Sequence, residues 1–145
     1  MDFFARPSLA SVKRLLSEAG LPNADLSEDS MGHFLGLGSP EMPEGIVGLE
    51  PHGPVALLRS LVVAKGRRGS GIGRALVAAA ERHARHLGVR EVYLLTTNAR
   101  GFFERLGYDR VEREVAPESI RATTEFSSLC PSSALLMRKR LPGDH

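Results

Sequence analysis

The chain has 145 residues, 42% hydrophobic and 25% charged, a mixture typical of a globular domain with a core of its own and not of a disordered chain. Lysine and arginine number 19 against 17 aspartates and glutamates, and the formal charge of +2 is too small to favour a nucleic-acid partner. A single cysteine, Cys130, excludes an intramolecular disulfide and disfavours a cysteine metal site. Since we find neither a long apolar run nor a signal peptide, we expect a cytoplasmic protein with no membrane partner.

Local patterns predict seven strands and, before residue 117, four helices. The strands are predicted at Phe3–Arg6, His33–Leu37, Gly45–Glu50, Val55–Val63, Glu91–Thr96, Tyr108–Arg113 and Ala134–Arg140. The helices are predicted from Ser8, as N-cap, to Gly20; from Asp25, paired with Glu28, to about Met31; at Gly71–Leu87; and at Arg100–Leu106. Between Pro117 and Pro131 we expect a short helix at Glu118–Ala122 and then a loop.

The order of these elements is that of a mixed α/β fold. Strands and helices do not alternate regularly, so a purely parallel sheet is not expected. The run Val55–Val63 is almost wholly apolar, which is typical of a central strand covered on both faces. We therefore predict one α/β domain over residues 1–145, with this strand at its centre.

A glycine-rich turn joins that central strand directly to the longest helix. The first backbone N–H groups of a helix lack internal partners and lie at the positive end of its dipole, so such a turn suits a pyrophosphate. A nucleoside-triphosphate loop would need Gly-Lys-Ser/Thr where this chain has Gly73-Arg74-Ala75. A dinucleotide fold would place its glycines after the first strand. Neither alternative fits.

Two motifs resemble the signatures of the GNAT superfamily, the Gcn5-related N-acetyltransferases. The first is Arg68-Gly69-Ser70-Gly71-Ile72-Gly73, which follows the pattern Arg/Gln-x-x-Gly-x-Gly/Ala, and the second is Asn98 followed by 102–108. The resemblance implies a single-domain GNAT fold with a mixed, mostly antiparallel sheet, splayed parallel central strands and helices on both faces. It also implies acetyl-CoA as co-substrate and no metal.

The same resemblance assigns residues to acetyl-CoA. They are Leu61, Val62, Val63, Arg68, Gly69, Ser70, Gly71, Ile72, Gly73, Arg74, Asn98 and Phe103. Backbone N–H groups of 69–74 would hold the pyrophosphate. Backbone groups of Leu61 and Val63 would meet the acetyl carbonyl and the pantetheine arm, and donors there stabilise the developing oxyanion.

Further segments are similar to N-acetyltransferases associated with bacterial arsenic-resistance operons. These segments are 47–51, 58–63, 93–97 and 125–131. The similarity implies a small-molecule acceptor, the α-amino group of an amino acid or an analogue such as arsinothricin. Small enzymes of this superfamily commonly dimerise, which leaves a homodimer open.

The base that would take the amine's proton is not where the superfamily usually has it. Many relatives carry a glutamate on the central strand, whereas this chain has Leu57, Leu58 and Arg59 there. Glu50 on the neighbouring strand is the first candidate and Glu125 the second; the alternatives are a solvated strand end and a loop surface. The usual tyrosine acid is replaced by Phe103, for which Tyr93 or Tyr108 could substitute.

Arg59 interrupts an otherwise apolar strand, where an unpaired charge would be costly. Its guanidinium could fork onto a substrate anion, and the alternative is an internal salt bridge to an acid such as Glu50. The other predicted substrate residues are Ser60, Ser127, Ser128 and Cys130, although a small packed side chain is the alternative for the cysteine.

Three functions remain open from the sequence. The first is a small-molecule N-acetyltransferase. The second keeps the fold and acetylates a protein amino group, and the third is an acyl-CoA-binding sensor without turnover, which the missing glutamate and Phe103 keep open. Acetyl-CoA binding without transfer would support the sensor.

Overall fold

The computed structural model describes residues 2–67 and 69–143, and within them the elements follow the predicted order. The strands are β1 (Phe3–Ala5), β2 (Phe34–Ser39), β3 (Met42–His52), β4 (Val55–Val63), β5 (Glu91–Thr96), β6 (Asp109–Val111) and β7 (Leu135–Arg140). The α-helices are α1 (Leu9–Glu18), α2 (Ile72–His86), α3 (Arg100–Arg105) and α4 (Glu118–Arg121). Turns of 3-10 helix lie at Glu28–His33 and Arg113–Val115, and a π-helical turn lies at Glu125–Leu129.

The strands form one mixed sheet in the order β1-β2-β3-β4-β5-β7-β6. The pairs β1·β2, β2·β3, β5·β7 and β6·β7 are antiparallel. Strands β4 and β5 run parallel and pair over Val55–Leu57 and Glu91–Tyr93, at the start of each strand. The predicted mixed, mostly antiparallel sheet with parallel central strands is confirmed.

The described chain groups into two compact units, the first of which comprises residues 2–50 and Leu58–Arg82. Helix α1 begins as predicted, because the hydroxyl of Ser8 accepts a hydrogen bond from the Ser11 N–H at 3.1 Å. Its apolar face enters a core of buried side chains that also includes strand residues. The members of this core are Val12, Leu15, Leu16, Leu26, Met31, Phe34, Ile46 and Val62.

Gly45 on β3 sets how closely helix α2 approaches the sheet. A Cβ at this position would lie 2.7 Å from Leu76 Cδ1 and 3.1 Å from both a methyl of Ile72 and the carbonyl oxygen of Val62. Those distances are shorter than close-packed side chains tolerate. Glycine therefore lets the first turns of α2 lie directly on β3, which fixes where the preceding glycine-rich loop must end.

The second unit comprises Pro51–Leu57 and the chain from His83 onward. Its core contains Val55, Leu57, Tyr93, Ala116, Ile120 and Leu136. Arg113 secures the segment that leads into β7, because its guanidinium donates to the carbonyl oxygens of Pro131 at 3.2 Å and Ala134 at 2.8 Å. The same guanidinium lies 5.1 Å from the ring centroid of Phe126, a cation–π contact.

The second predicted helix starts differently from the expectation. It is the 3-10 helix Glu28–His33, and its cap is a reciprocal pair between Ser27 and Ser30. The prediction that Asp25 opens this helix is wrong. The carboxylate of Asp25 instead binds Arg59 on β4, and a charge-assisted fork is a stronger partner than a helix-end amide.

Candidate functional site

Strand β4 carries an unusual backbone conformation at Ser60, one of the predicted substrate residues. Its φ is 60°, in the left-handed region that side-chain-bearing residues rarely occupy, at a cost on the order of 1–3 kcal/mol. The Ser60 hydroxyl accepts a hydrogen bond from Arg59 Nε at 3.0 Å, which ties this conformation to its neighbour. Leu61, Val62 and Val63, predicted to meet acetyl-CoA, follow immediately on the strand.

The glycine-rich loop leads from β4 into α2. Gly69 and Gly71 have φ values of 83° and 82°, and a Cβ at either would meet nothing within 4 Å, so the space beside this backbone is open. The Ala75 N–H donates to the Gly71 carbonyl at 3.0 Å, as the α-helical ladder begins. The N–H groups of 72–74 precede that bond and point out of the helix start. Arg68, also predicted to bind acetyl-CoA, lies outside the described residues.

Glu44 on β3 holds the start of this loop in two ways. Its carbonyl oxygen accepts from the Ala64 N–H at 2.8 Å, and its carboxylate pairs with the Arg67 guanidinium. The Arg67 side chain is 59% exposed, so this ion pair contributes at most about 1 kcal/mol and can open. A cleft of about 340 Å³ lies beside the pair, and its lining residues are Asp2, Leu37, Gly38, Glu44, Arg67, Ser70 and Ile72.

Arg59 is a fully buried cation held by two carboxylates. Its Nη1 and Nη2 donate to the two oxygens of Asp25 at 2.5 and 2.9 Å, as a fork, and Nη1 also donates to Glu50 Oε1 at 2.8 Å. The side chain of Arg59 has no exposed surface, whereas that of Asp25 is 15% exposed. The internal salt bridge with Glu50, left open by the sequence, is therefore present, and Asp25 joins it. A role of Arg59 toward a substrate anion stays a prediction and requires this network to open.

Glu50, the first candidate base, lies near the end of β3. Its side chain is 28% exposed although Oε1 is bound to Arg59. Part of this carboxylate is thus open to solvent, and its role as the base stays a prediction. The structure brings Glu50, Arg59 and Ser60 together, and sequence reasoning missed Asp25. The charge of Arg59 on an apolar strand indicates that it needs an acidic partner, but this signal alone does not identify Asp25.

In the second unit, the second motif divides into exposed and buried residues. Asn98 is exposed on the bend after β5. Phe103 is 7% exposed and packs edge-on against Phe102 and Tyr108, at centroid distances of 5.0 and 5.7 Å. Tyr108 is buried, and Lys139 Nζ lies over its ring, 5.6 Å from the centroid. The predicted acetyl-CoA contacts of Asn98 and Phe103 stay predictions.

Tyr93, one of two tyrosines that could serve as the acid, lies on β5 and is 2% exposed. Burial raises the pKa of its hydroxyl above the ordinary value of 10.0; the Arg138 side chain opposes this shift and the Glu91 carboxylate adds to it. The hydroxyl donates to Glu91 Oε1 at 3.3 Å. Tyr93 therefore keeps its proton at neutral pH.

Glu125, the second candidate base, is buried and not on a loop surface. It is 5% exposed and begins the π-helical turn, in which the Cys130 N–H donates to the Glu125 carbonyl at 2.9 Å. Such wide turns are rare and are frequent at functional sites. Ser127 and Ser128 are exposed on this turn and Cys130 is half-buried, so the structure brings these predicted substrate residues onto one short segment.

The described residues contain no group of three or more His, Cys, Asp or Glu side chains arranged to hold a metal ion. Over the same part of the chain, no helix has the length and apolarity needed to cross a membrane.

The profile of the acetyltransferase (GNAT) family matches residues 16–108. That span includes β4, the glycine-rich loop, α2 and Phe103, and it covers more than half of the chain. The chain therefore belongs to the GNAT acetyltransferase family.

Individual proteins are similar over part or all of the chain. An uncharacterized N-acetyltransferase of Chlorobaculum tepidum is 47% identical over 66 residues, which are 46% of this chain and 42% of that protein. The N-acetylglutamate synthase of Neisseria gonorrhoeae, solved with coenzyme A and L-arginine, superposes with a TM-score of 0.81 at 18% identity over 97% of this chain. This chain spans only 33% of that synthase. A Mycobacterium tuberculosis protein solved in complex with CoA gives 0.79 at 23% identity over 98% of this chain and all of that one.

Proposed function

We propose that this protein is an acetyl-CoA-dependent N-acetyltransferase that acts on the amino group of a small amino-acid-like molecule. The observation that carries the proposal is the family match over 16–108, which includes β4, the glycine-rich loop and the start of α2, the elements to which we assign the binding of acetyl-CoA. Two neighbours of the same fold were solved with CoA, which supports acetyl-CoA as the co-substrate.

The pyrophosphate of acetyl-CoA would bind at the glycine-rich loop. Gly69 and Gly71 leave open space beside the backbone, and the amides of 72–74, which precede the first bond of the helical ladder, favour a doubly charged anion together with the helix dipole. Arg67 can exchange its exposed ion pair with Glu44 for a ligand phosphate, because the two pairings are similar in energy at the surface. Arg74 on the first turn of α2 adds a further positive charge.

Acetyl transfer itself requires a neutral amine. The amine nitrogen attacks the thioester carbonyl carbon, the C–S bond breaks, and CoA leaves as the thiolate while the amine proton passes to a base. Glu50 is the base that we propose, because its carboxylate is partly exposed and has one oxygen fixed by Arg59. Backbone donors of 61–63, next to the left-handed Ser60, would stabilise the oxyanion.

The acceptor class rests on two kinds of similarity. Segments 47–51, 58–63, 93–97 and 125–131 resemble N-acetyltransferases of arsenic-resistance operons. The Neisseria neighbour is a synthase of N-acetylglutamate and so carries an amino-acid product in its name. Amino acids and their phosphinate or arsinate analogues are therefore the acceptors to test first.

The experiment is mass-spectrometric detection of acetylated product from purified protein and acetyl-CoA. The acceptor panel contains L-glutamate, L-glutamine, phosphinothricin, arsinothricin and a short peptide with a free amino terminus. Transfer to at least one small acceptor is expected, with a strong loss in Glu50→Gln and none in Glu28→Gln, an exposed carboxylate on the 3-10 helix. Acetylation of the peptide alone would point to a protein acceptor, and tight acetyl-CoA binding without any product would point to a sensor.

A further inference from the structure

We propose that Asp25 is a positioning residue for acetyl transfer, which acts through Arg59 to hold the carboxylate of Glu50 toward the acceptor amine. The inference rests on the proposed function, since it takes Glu50 as the base. Asp25 belongs to neither of the family's sequence motifs and lies on the turn between α1 and the 3-10 helix.

The geometry fixes the guanidinium of Arg59 on three sides. The two terminal nitrogens of the guanidinium donate to the two oxygens of the Asp25 carboxylate. The hydroxyl of Ser60 binds Nε on the opposite edge, and Nη1 reaches Glu50. A planar group held at both edges cannot rotate about its long axis, so its remaining contact, the one to Glu50, has a fixed direction.

The two carboxylates are not equivalent. Asp25 meets Arg59 with two oxygens and is 15% exposed, whereas Glu50 meets it with Oε1 at 2.8 Å and is 28% exposed. Asp25 thus accepts from both terminal nitrogens of Arg59, and Nη1 also donates to Glu50 Oε1. This bond sets the position of the Glu50 carboxylate, which is the base under the proposed function.

Removal of the Asp25 charge should undo this division. In Asp25→Asn the guanidinium of Arg59 loses the anionic partner that holds both of its terminal nitrogens, so the direction of its bond to Glu50 is no longer fixed. The Glu50 carboxylate then loses its fixed position relative to the acceptor amine. Catalysis then falls although acetyl-CoA, bound by the loop 64–71 and the start of α2, is held as before.

The test is a double-mutant cycle on turnover, with the best small acceptor of the panel above as probe. Asp25→Asn is expected to lower kcat at least about tenfold, while the KM and Kd for acetyl-CoA stay within about twofold. In the Glu50→Gln background the same substitution is expected to have no further effect beyond about twofold, since a residue that acts through Glu50 has nothing left to position. Asp29→Asn, the same change at an exposed aspartate on the neighbouring 3-10 helix, is the matched control and should leave kcat unchanged.

The outcomes separate the inference from the function it rests on. An equal fold-loss from Asp25→Asn in both backgrounds, or full activity of Asp25→Asn, overturns the positioning role and leaves the acetyltransferase intact. No product from the wild-type protein with any acceptor overturns the proposed function and this inference with it. If Asp25→Asn does not fold, Asp25→Glu, which keeps the charge but lengthens the side chain by one methylene, replaces it in the same cycle with the same expected non-additivity.

Discussion

A single buried cation illustrates how one residue can dominate local stability. Arg59 has no exposed side-chain surface, and two carboxylates and a hydroxyl neutralise and orient it. A charge buried in that position is tolerated because these oppositely charged and hydrogen-bonding partners accompany it. The residue therefore connects β4 to β3 and to the turn after α1.

Substitution of Arg59 by methionine should be strongly destabilising. The change removes the guanidinium that binds the carboxylates of both Asp25 and Glu50, and loss of one partner of a buried pair typically costs about 3–5 kcal/mol. Urea unfolding followed by circular dichroism measures the loss. Arg140→Met is the control: its ion pair with Glu91 is 77% exposed on the arginine side, so a change of at most about 1 kcal/mol is expected. Equal effects of the two substitutions would contradict the structural account.

Tyr93 should titrate later than a free tyrosine. The chain has two tyrosines, so in Tyr108→Phe the ultraviolet phenolate signal comes from Tyr93 alone. Burial raises the pKa of Tyr93 above 10.0 in the folded state, so the unfolded chain loses this proton first as the pH rises. Its contribution to stability is thus fully present below pH 10 and is lost as the pH rises through the folded-state pKa. A phenolate midpoint at or below 10.0 in the folded variant would contradict the burial described for this residue.

At the scale of elements, the glycine-rich loop and helix α2 form the part of the site that sequence predicts best. The requirement is local: a left-handed backbone at Gly69 and Gly71 and a helix that starts at Ile72. Because these backbone conformations favour glycine at adjacent positions, the motif can be recognised in the sequence.

Gly71→Ala should weaken binding of CoA. A Cβ at φ 82° is strained by about 1–2 kcal/mol, and relief of that strain moves the amides that precede α2. Isothermal titration should therefore give an approximately tenfold or larger rise in Kd for acetyl-CoA. Gly53→Ala is the matched control, because Gly53 also has a positive φ, 68°, and open space for a Cβ, but lies in the turn between β3 and β4. Weaker binding in both variants would indicate a general loss of stability and not a role of the loop.

The elements that sequence predicted less well are those whose partners are distant in the chain. Asp25 has the pattern of a helix cap, but its partner Arg59 lies 34 residues away, and no local pattern encodes that pair. The π-helical turn at Glu125–Leu129 was expected to be a loop, because its backbone widens by one residue relative to an α-helix and has no periodic signature. Strands β4 and β5, by contrast, were predicted with the bounds that the structure has, since apolar runs and glycine or proline ends are local features.

At the scale of the whole molecule, ligand binding should appear as a gain in stability. A ligand that binds only the folded state stabilises it by RT ln(1 + [L]/Kd), about 2.7 kcal/mol at a hundredfold excess over Kd. Acetyl-CoA and CoA should therefore both raise the midpoint of thermal unfolding. Analogues that lack the pyrophosphate, such as acetyl-pantetheine, should raise this midpoint much less, because they have no anion to place at the start of α2. Equal stabilisation by acetyl-pantetheine would contradict the assignment of the loop.

The chain contains one thiol, Cys130, at the end of the π-helical turn, and it is half-buried. A maleimide dye would therefore attach at a single place, beside Ser127 and Ser128 and without the need to remove other thiols. Its labelling rate reports how often this segment lifts away from the carbonyl contacts of Arg113, and its emission would follow occupancy of the neighbouring surface in real time. The native chain thus already contains an attachment point for a fluorescent reporter on the segment that is predicted to contact the acceptor.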